Sequence, residues 1–292
     1  MDTRASDLAR AASLIRAKLL YKITPFRLRA LRGEARSLLA GLLLCAATEH
    51  STRVRGNGGS MARSLSDICR SCTHLVLDFD GVLADSEPLY RRSWNLALAE
   101  VDHSVSEDDY WLYWSSLGEG LEGEAERAGL DIDDDLARRM RGIQRAAYER
   151  LCLRGEVPMA AGAERLLSLL VSGRAGLFGW AVASNTDSRL VRAVMERAGA
   201  PLPDHLVGGE GLRRKPAPDI FLRAASLLDA EPEGCLVVED SLKGIRAARA
   251  GGFPVVRMLN AQNRGHSAPA DADVDGLDAL AEALLEREGA DA

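Results

Sequence analysis

Two aspartates, Asp78 and Asp80, sit two residues apart in the stretch Leu75-Val76-Leu77-Asp78-Phe79-Asp80-Gly81-Val82-Leu83. The stretch begins as a short apolar run, the pattern of a strand covered on both faces. A buried strand does not carry carboxylates for stability, because a desolvated charge is costly unless it is paired or metal-bound. At the carboxyl end of a parallel strand the cost is relieved, since that edge of an open α/β sheet opens into a ligand crevice. The pair therefore reads as two acids aimed into a site. The plain alternative for this window is a strand followed by an Asp-Gly turn.

Elements further along the chain decide between the two. Trp180-Ala181-Val182-Ala183 reads as a strand ending at Ser184-Asn185-Thr186, after which Asp187 caps a helix running to Gly199. His205-Leu206-Val207-Gly208 is a short strand, and the loop Arg213 to Asp219, which contains Lys215, feeds a helix from Ile220 to Leu228. Cys235-Leu236-Val237-Val238 is a buried strand ending in Glu239-Asp240-Ser241, and Pro254-Val255-Val256 is a further one. Strands alternating with helices predict an α/β fold with a doubly wound parallel sheet. Between the first two strands the pattern is different. Ser86 can cap a helix whose first turn suits Pro88, Ser106-Glu107-Asp108-Asp109 opens another, Ser115 to Gly120 reads as a loop, and Asp133 to Leu151 is a long helical pattern. No strand is expected from Glu87 to about Val157.

In a parallel sheet Asp78, Asp80, Ser184, Lys215, Glu239 and Asp240 all fall at one edge. So many carboxylates need a counter-ion, and Mg²⁺, which takes oxygen ligands and keeps several waters, is the natural one. The remaining hydroxyl, helix-start N–H groups and lysine are the parts of a phosphate cradle. Metal, cradle and free carboxylate together read as phosphoryl transfer through an acyl phosphate.

These four motifs, in this order over residues 74 to about 258, resemble the haloacid dehalogenase superfamily, in its phosphatase and β-phosphoglucomutase-like branch with a helical cap. Asp78-Phe79-Asp80-Gly81-Val82 matches the first motif, Ser184-Asn185 the second, Lys215 with Pro216-Ala217-Pro218-Asp219 the third, and Glu239-Asp240-Ser241 the fourth. The resemblance implies a Rossmann-like α/β core from residues 61–84 and 160–292, with an inserted α-helical cap at 85–159. It also implies roles. Asp78 would be the nucleophile and a metal ligand. Asp80 would be the general acid and then base, its backbone carbonyl on the metal. Ser184 and the Asn185 N–H would hold the phosphoryl oxygens, and Lys215 would neutralise charge. Asp240 would complete the Mg²⁺ site, with Glu239 a direct or water-mediated ligand. The dehalogenases of the superfamily lack the second aspartate, so Asp80 points to a phosphate ester.

The expected function is thus a Mg²⁺-dependent phosphatase hydrolysing a small phosphorylated metabolite, a sugar phosphate or phosphoglycolate-like ester. A sugar phosphomutase is the alternative within the branch, and a non-catalytic adaptor on the same fold is the alternative of another class. Two residues weigh against the mutase. The family's cap histidine ten residues after the general acid is here Tyr90. The stretch Ser115 to Glu122, where a mutase carries an arginine for the distal phosphate, holds no Arg or Lys and carries Glu119 and Glu122. Arg91 or Arg92 could substitute.

Charge is unevenly spread. Residues 1–60 hold 11 Lys/Arg against 4 Asp/Glu, a net of +7, which leaves −13 of the total −6 for residues 61–292. The acidic bulk is no general nucleic-acid binder. No apolar run is long enough to span a membrane. The five scattered cysteines, Cys45, Cys69, Cys72, Cys152 and Cys235, suit a reducing compartment, and Cys69 and Cys72 read as a chance C-x-x-C. A cytoplasmic monomer is expected. Residues 1–60, with helical patterns at Leu8 to Leu20 and Phe26 to Leu44 and a linker at Arg55 to Ser60, read as a targeting peptide to an organelle, an interaction tail, or sequence ahead of a true start at Met61. The last is favoured. A chain beginning at Met61 is accordingly expected to fold and keep its activity. A large drop in solubility or melting temperature on removing residues 1–60 would show instead that the Leu-rich stretch packs on the rest.

Overall fold

The structure, a computed structural model, describes residues 63–264 and 266–287. The expectations for residues 1–60, Cys45 among them, lie outside the described residues. A sheet of six parallel strands runs through the chain: β1 (His74–Leu77), β2 (Gly179–Ala183), β3 (His205–Val207), β4 (Cys235–Glu239), β5 (Val255–Met258) and β6 (Ala272–Val274). Their spatial order is β3-β2-β1-β4-β5-β6. The chain therefore moves from β1 to one side, returns, and continues on the other, which makes this a doubly wound α/β fold. β1 lies between β2 and β4, with Val76 opposite both Ala181 and Val237.

Alternation of side chains in β1 explains the two cores. Leu75 and Leu77 face one side, with Ile68 of α1 (Leu65–Ser71), Leu166 and Leu167 of α6 (Ala163–Val171), Val191 of α7 (Ser188–Arg197) and Leu280 of α10 (Leu277–Leu285). Val76 faces the other, with Phe221 of α8 (Asp219–Leu227) and Ile245 of α9 (Leu242–Ala250). A sheet covered on both faces needs strands apolar at every position, and β1 is fully buried along its length. β6, α1 and α10 extend the fold beyond the stretch that carries the motifs.

Between β1 and α6 the elements are all helical: α2 (Glu87–Leu98) with a 3-10 turn over Ala99–Val101, a short α3 (Glu107–Asp109) that continues as a π-helical segment over Tyr110–Ser116, α4 (Gly120–Ala128) and α5 (Asp134–Arg154). They enclose a core of their own around Leu98, Tyr110, Trp114, Leu121 and Met140. The expected loop at Ser115 to Gly120 is shorter, because Ser115 and Ser116 belong to the π-helical segment. The chain leaves and re-enters the sheet region as an adjacent pair: the Ala160 N–H donates to the Leu83 carbonyl at 2.8 Å and the Asp85 N–H to the Pro158 carbonyl at 3.0 Å. No helix among the described residues is long and apolar enough to cross a membrane.

One buried charge organises the helical region. Glu124 accepts from His103 Nε2 at 2.8 Å, Trp114 Nε1 at 3.1 Å and Arg127 at 2.5 Å. Burial pushes its carboxyl up, but the donors of His103, Trp114 and Arg127 outweigh it and hold the group below its ordinary value. A carboxylate with a depressed folded-state value stabilises above its unfolded value and loses that contribution as pH falls through the folded one. Glu124→Gln should therefore lower stability at about pH 7, and the gap to the wild type should narrow towards about pH 4. Urea unfolding at both pH values checks this; a gap that widens on acidification would contradict the assignment.

Candidate active site

The carboxyl ends of β1 and β4 bring three acids together. One oxygen each of Asp78, Glu239 and Asp240 lies within 4.8 Å of the other two, and all three residues are buried. Lys215 reaches them from the loop after β3. Its Nζ lies 2.8 Å from Asp78 Oδ1 and 2.8 Å from Glu239 Oε1, and donates to the Ala183 carbonyl at 3.0 Å. The loop is fixed from below, since the Lys215 N–H donates to Asn185 Oδ1 at 3.1 Å. Glu239 is held from the other side by the N–H and hydroxyl of Ser241, each at 2.9 Å. Asn260 Nδ2 donates to Asp240 Oδ2 at 3.2 Å.

Two glycines make room for this crowding. Gly81 has φ +80°, and a Cβ there would overlap the Asp240 carboxylate. Gly244, in the first turn of α9, lies against Glu239, and a Cβ there would overlap its carboxylate. The helix start is thereby pressed onto a negative charge, which its N-terminal dipole favours. Ser241 caps that turn by accepting from the Gly244 N–H at 3.2 Å.

The electrostatics follow from burial and proximity. Burial pushes the Asp78 carboxyl well above the usual carboxylate range, and Glu239 adds to the push against Lys215. Asp240 is raised in the same way, by burial and then by Glu239. For Glu239, burial is outweighed by Lys215 and the carboxyl stays below its ordinary value. For Lys215, burial is outweighed by Asp78 and Glu239, so the ammonium is held protonated. Lys215 is ion-paired with both Asp78 and Glu239, one ammonium against three buried acids. Three buried carboxylates converging within 4.8 Å around a single ammonium keep an excess of negative charge, and their oxygens are the donor set of a hard divalent cation. The residues therefore fit a Mg²⁺-type ion.

Asp80 points elsewhere. Oδ1 accepts from Ser86 Oγ at 2.6 Å and Tyr148 at 3.2 Å, and Oδ2 from Ser184 Oγ at 2.8 Å and Thr186 Oγ1 at 2.7 Å. Its side chain is outside the acidic cluster and inside a cage of hydroxyls. Hydroxyls both donate and accept, so such a cage accommodates a carboxylate and a carboxylic acid alike. This arrangement corrects the reading of Ser86 as a helix cap: its backbone is helical, its side chain caps nothing, and its hydroxyl is on Asp80. Ser184, expected to face a phosphoryl group, also donates to Asp80 here.

Of the seven residues named from the sequence, Asp78, Lys215, Glu239 and Asp240 form one contact set, Asp80 and Ser184 a second beside it, and Asn185 joins the first through Lys215. All except Ser184 and Glu239 line one cleft of about 260 Å³, closed above by Glu87, Tyr90, Trp94, Tyr110 and Trp114 of the helical region. Sequence reasoning missed Glu87, Thr186 and Tyr148. Glu87 accepts from Ser115 Oγ at 2.9 Å, while its other oxygen is buried without a donor. Burial raises its carboxyl, opposed by Lys243. Thr186 was within reach, two residues beyond Ser184 at the same strand end; Tyr148, in the middle of a helical pattern, gave no signal. Tyr90 stacks edge-on against Tyr148 at 4.5 Å, and burial pushes its hydroxyl up to about 12. The acids expected to repel a second phosphate are paired, Glu119 with Arg127 and Glu122 with Arg141. Arg91 is engaged with the Val105 carbonyl and with Glu107.

The sequence profile of the haloacid dehalogenase-like hydrolases matches residues 72–252. Hexitol phosphatase A of Escherichia coli is 30% identical over 207 residues, covering 68% of this chain and 85% of its own length. Beta-phosphoglucomutase of Mycobacterium bovis is 30% identical over 240 residues, covering 72% and 88%. The crystal structure of CbbY from Rhodobacter sphaeroides in complex with phosphate superposes with a TM-score of 0.59 at 28% identity, over 72% of this chain and 96% of that one. With a parallel sheet, an acidic cluster at its carboxyl edge and these matches over most of its length, the chain belongs to the haloacid dehalogenase-like hydrolase family.

Proposed function

We propose that this chain is a Mg²⁺-dependent phosphatase that hydrolyses a small phosphorylated metabolite, a sugar phosphate or phosphoglycolate-like ester, through an aspartyl phosphate on Asp78. The observation that carries the reading is the buried set Asp78, Glu239 and Asp240 around Lys215, with Asp78 and Asp240 lining an open cleft. Asp78 and Asp240, with the Asp80 backbone carbonyl and Glu239 directly or through water, would hold the Mg²⁺. Once bound, the ion would offset the repulsion among these carboxylates and an incoming phosphate. We take residues 85–159 as a cap over a core formed by 61–84 and 160–292.

In this reading a carboxylate oxygen of Asp78 attacks phosphorus in line, forming an acyl phosphate as the bond between phosphorus and the leaving oxygen breaks. Lys215, held cationic by its neighbours, stabilises the charge that spreads over the phosphoryl oxygens. Asp80 delivers the proton to the leaving oxygen and then takes one from the water that hydrolyses the aspartyl phosphate. Protonating a poor alkoxide leaving group is worth roughly 10²–10⁴ in rate. Ser184 and the Asn185 N–H orient the phosphoryl group. The hydroxyls of Ser86, Tyr148, Ser184 and Thr186 keep Asp80 positioned between its two tasks.

Asp78→Asn should abolish turnover of p-nitrophenyl phosphate while leaving the circular dichroism spectrum unchanged. EDTA should stop the wild type, and added Mg²⁺ should restore it. Wild-type rates in the variant would end the nucleophile assignment, and activity surviving exhaustive chelation would remove the metal.

Hydrolysis is favoured over phosphoryl return to the sugar because Tyr90, raised to about 12, cannot exchange a proton with Asp80 near neutral pH. The mutase reading draws on the likeness to beta-phosphoglucomutase. Incubation with sugar 1-phosphates separates the two: free phosphate should outpace any 6-phosphate formed. The reverse order would make the chain a mutase, and inactivity across a panel of phosphate esters would leave an adaptor.

A further inference from the structure

Two asparagines in the loop that leaves β5 reach Asp240. β5 lies beside β4, with Arg257 opposite Glu239, so the chain beyond Met258 emerges next to the residue that follows Glu239. Asn260 Nδ2 donates to Asp240 Oδ2 at 3.2 Å, and Asn263 Nδ2 donates to the Asp240 carbonyl at 3.0 Å. One residue thus has its carboxylate and its backbone held by two side chains of one short loop.

The two amides are themselves fixed. Asn260 Oδ1 accepts from the N–H groups of Gln262 at 3.1 Å and Asn263 at 2.8 Å. Only an oxygen can accept there, so the nitrogen end is the one that faces Asp240. Asn263 is buried, its Oδ1 accepts from the Asn260 N–H at 2.9 Å, and its Nδ2 donates also to the Met258 carbonyl at 2.8 Å. The side chains brace each other, and a satisfied network of this kind holds a single geometry. On the other side of Asp240, a Cβ on Gly81 would lie 2.3 Å from Oδ2. The carboxylate is therefore set between the Gly81 backbone and the Asn260 amide.

We propose that Asn260, braced by Asn263, is a positioning residue for the metal site: it engages Oδ2 and so holds Asp240 with Oδ1 turned to the cation before the cation arrives. The proposal rests on the Mg²⁺ reading of Asp78, Glu239 and Asp240. Without a cation these carboxylates repel, and rotation of the Asp240 side chain away from the other two would relieve the repulsion. Lys215 is paired with Asp78 and Glu239, and Asp240 forms no ion pair of its own among the described residues. The restraint on it is the amide. A neutral donor fixes the carboxylate without cancelling its charge, which stays available to the ion. A ligand held in place beforehand spends less of the binding energy on ordering. Partners of this kind, one step behind a metal ligand, are worth about 10–100-fold in metal affinity.

The test uses the full chain and Mn²⁺ alone, an oxygen-preferring ion whose free form is counted by electron paramagnetic resonance. Asn260→Ala should raise the Mn²⁺ Kd by about tenfold or more. The Mg²⁺ concentration for half-maximal hydrolysis of p-nitrophenyl phosphate should rise in step, while kcat at saturating Mg²⁺ stays near the wild-type value. Asn260→Ser has a hydroxyl that can close the turn but is too short to reach Asp240. It should raise Kd in the same way, which keeps the question answerable if the alanine variant does not fold. The Gln262 side chain donates to Glu107 at 3.4 Å and not to Asp240, so Gln262→Ala should leave Kd unchanged. A purely structural role would lower the melting temperature of the metal-free protein and leave Kd alone. Asn260 variants that bind Mn²⁺ within about twofold of the wild type, well short of that range, would overturn the positioning role. So would a loss in Gln262→Ala as large as in Asn260→Ala. A wild type that binds no Mn²⁺ would instead overturn the metal reading beneath it.

Discussion

Mutual repulsion of three buried carboxylates is the constraint on which the rest of the structure depends. Unit charges at the separation of Asp78, Glu239 and Asp240 repel by about 3 kcal/mol per pair at an effective dielectric of about 20, and each also loses its hydration. One lysine cannot offset three such charges. The fold supplies what else it can: the N–H and hydroxyl of Ser241 on Glu239, the amide of Asn260 on Asp240, and the first turn of α9 drawn in by the absence of a side chain at Gly244. Asp78 and Asp240 remain raised by burial and by Glu239. A protein selected for stability alone would replace these acids with apolar residues. Their retention at the crevice edge makes sense if a cation completes the balance.

The second organising contact ties the helical region to the same point. Asp80 accepts hydroxyls from both sides of the cleft, Ser86 and Tyr148 from the helical region and its entrance, Ser184 and Thr186 from the end of β2. The side chain assigned to proton transfer is thus held jointly by the two parts of the molecule. A shift of α5 relative to β2 would remove half of its partners at once. The entering and leaving chains are themselves paired close to the site, at Leu83, Asp85, Pro158 and Ala160.

Much of this was legible in the sequence because the informative residues violate local expectation. Carboxylates at the end of Leu75-Val76-Leu77 and of Leu236-Val237-Val238 make no sense as core, and a parallel sheet is the arrangement that rescues both. Strands buried on two faces are also the easiest to read, as continuous apolar runs. Ser86 shows the limit: a serine before Glu-Pro has the signature of a cap, and only the third dimension reveals Asp80 as a competing acceptor. Tyr148 lies 68 residues from Asp80, and no local pattern connects them. β6 and α10, short and without a motif, offered little beyond periodicity. The π-helical course of Tyr110–Ser116 likewise leaves no mark in the sequence.

Charge counting was the least reliable guide, and the reason is general. Glu119 and Glu122 count as two negative charges in a stretch expected to contact substrate, yet each is matched by an arginine from elsewhere in the helical region. Conversely, the acidic total of residues 61–292 conceals exposed arginines, Arg145 and Arg214, that have no carboxylate partner among the described residues. What an anionic ligand meets is the residue of local pairing, since a charge already paired at short range contributes little beyond a Debye length of about 8–10 Å. Which charges lack partners is therefore a property of the folded chain, and no count over the sequence supplies it.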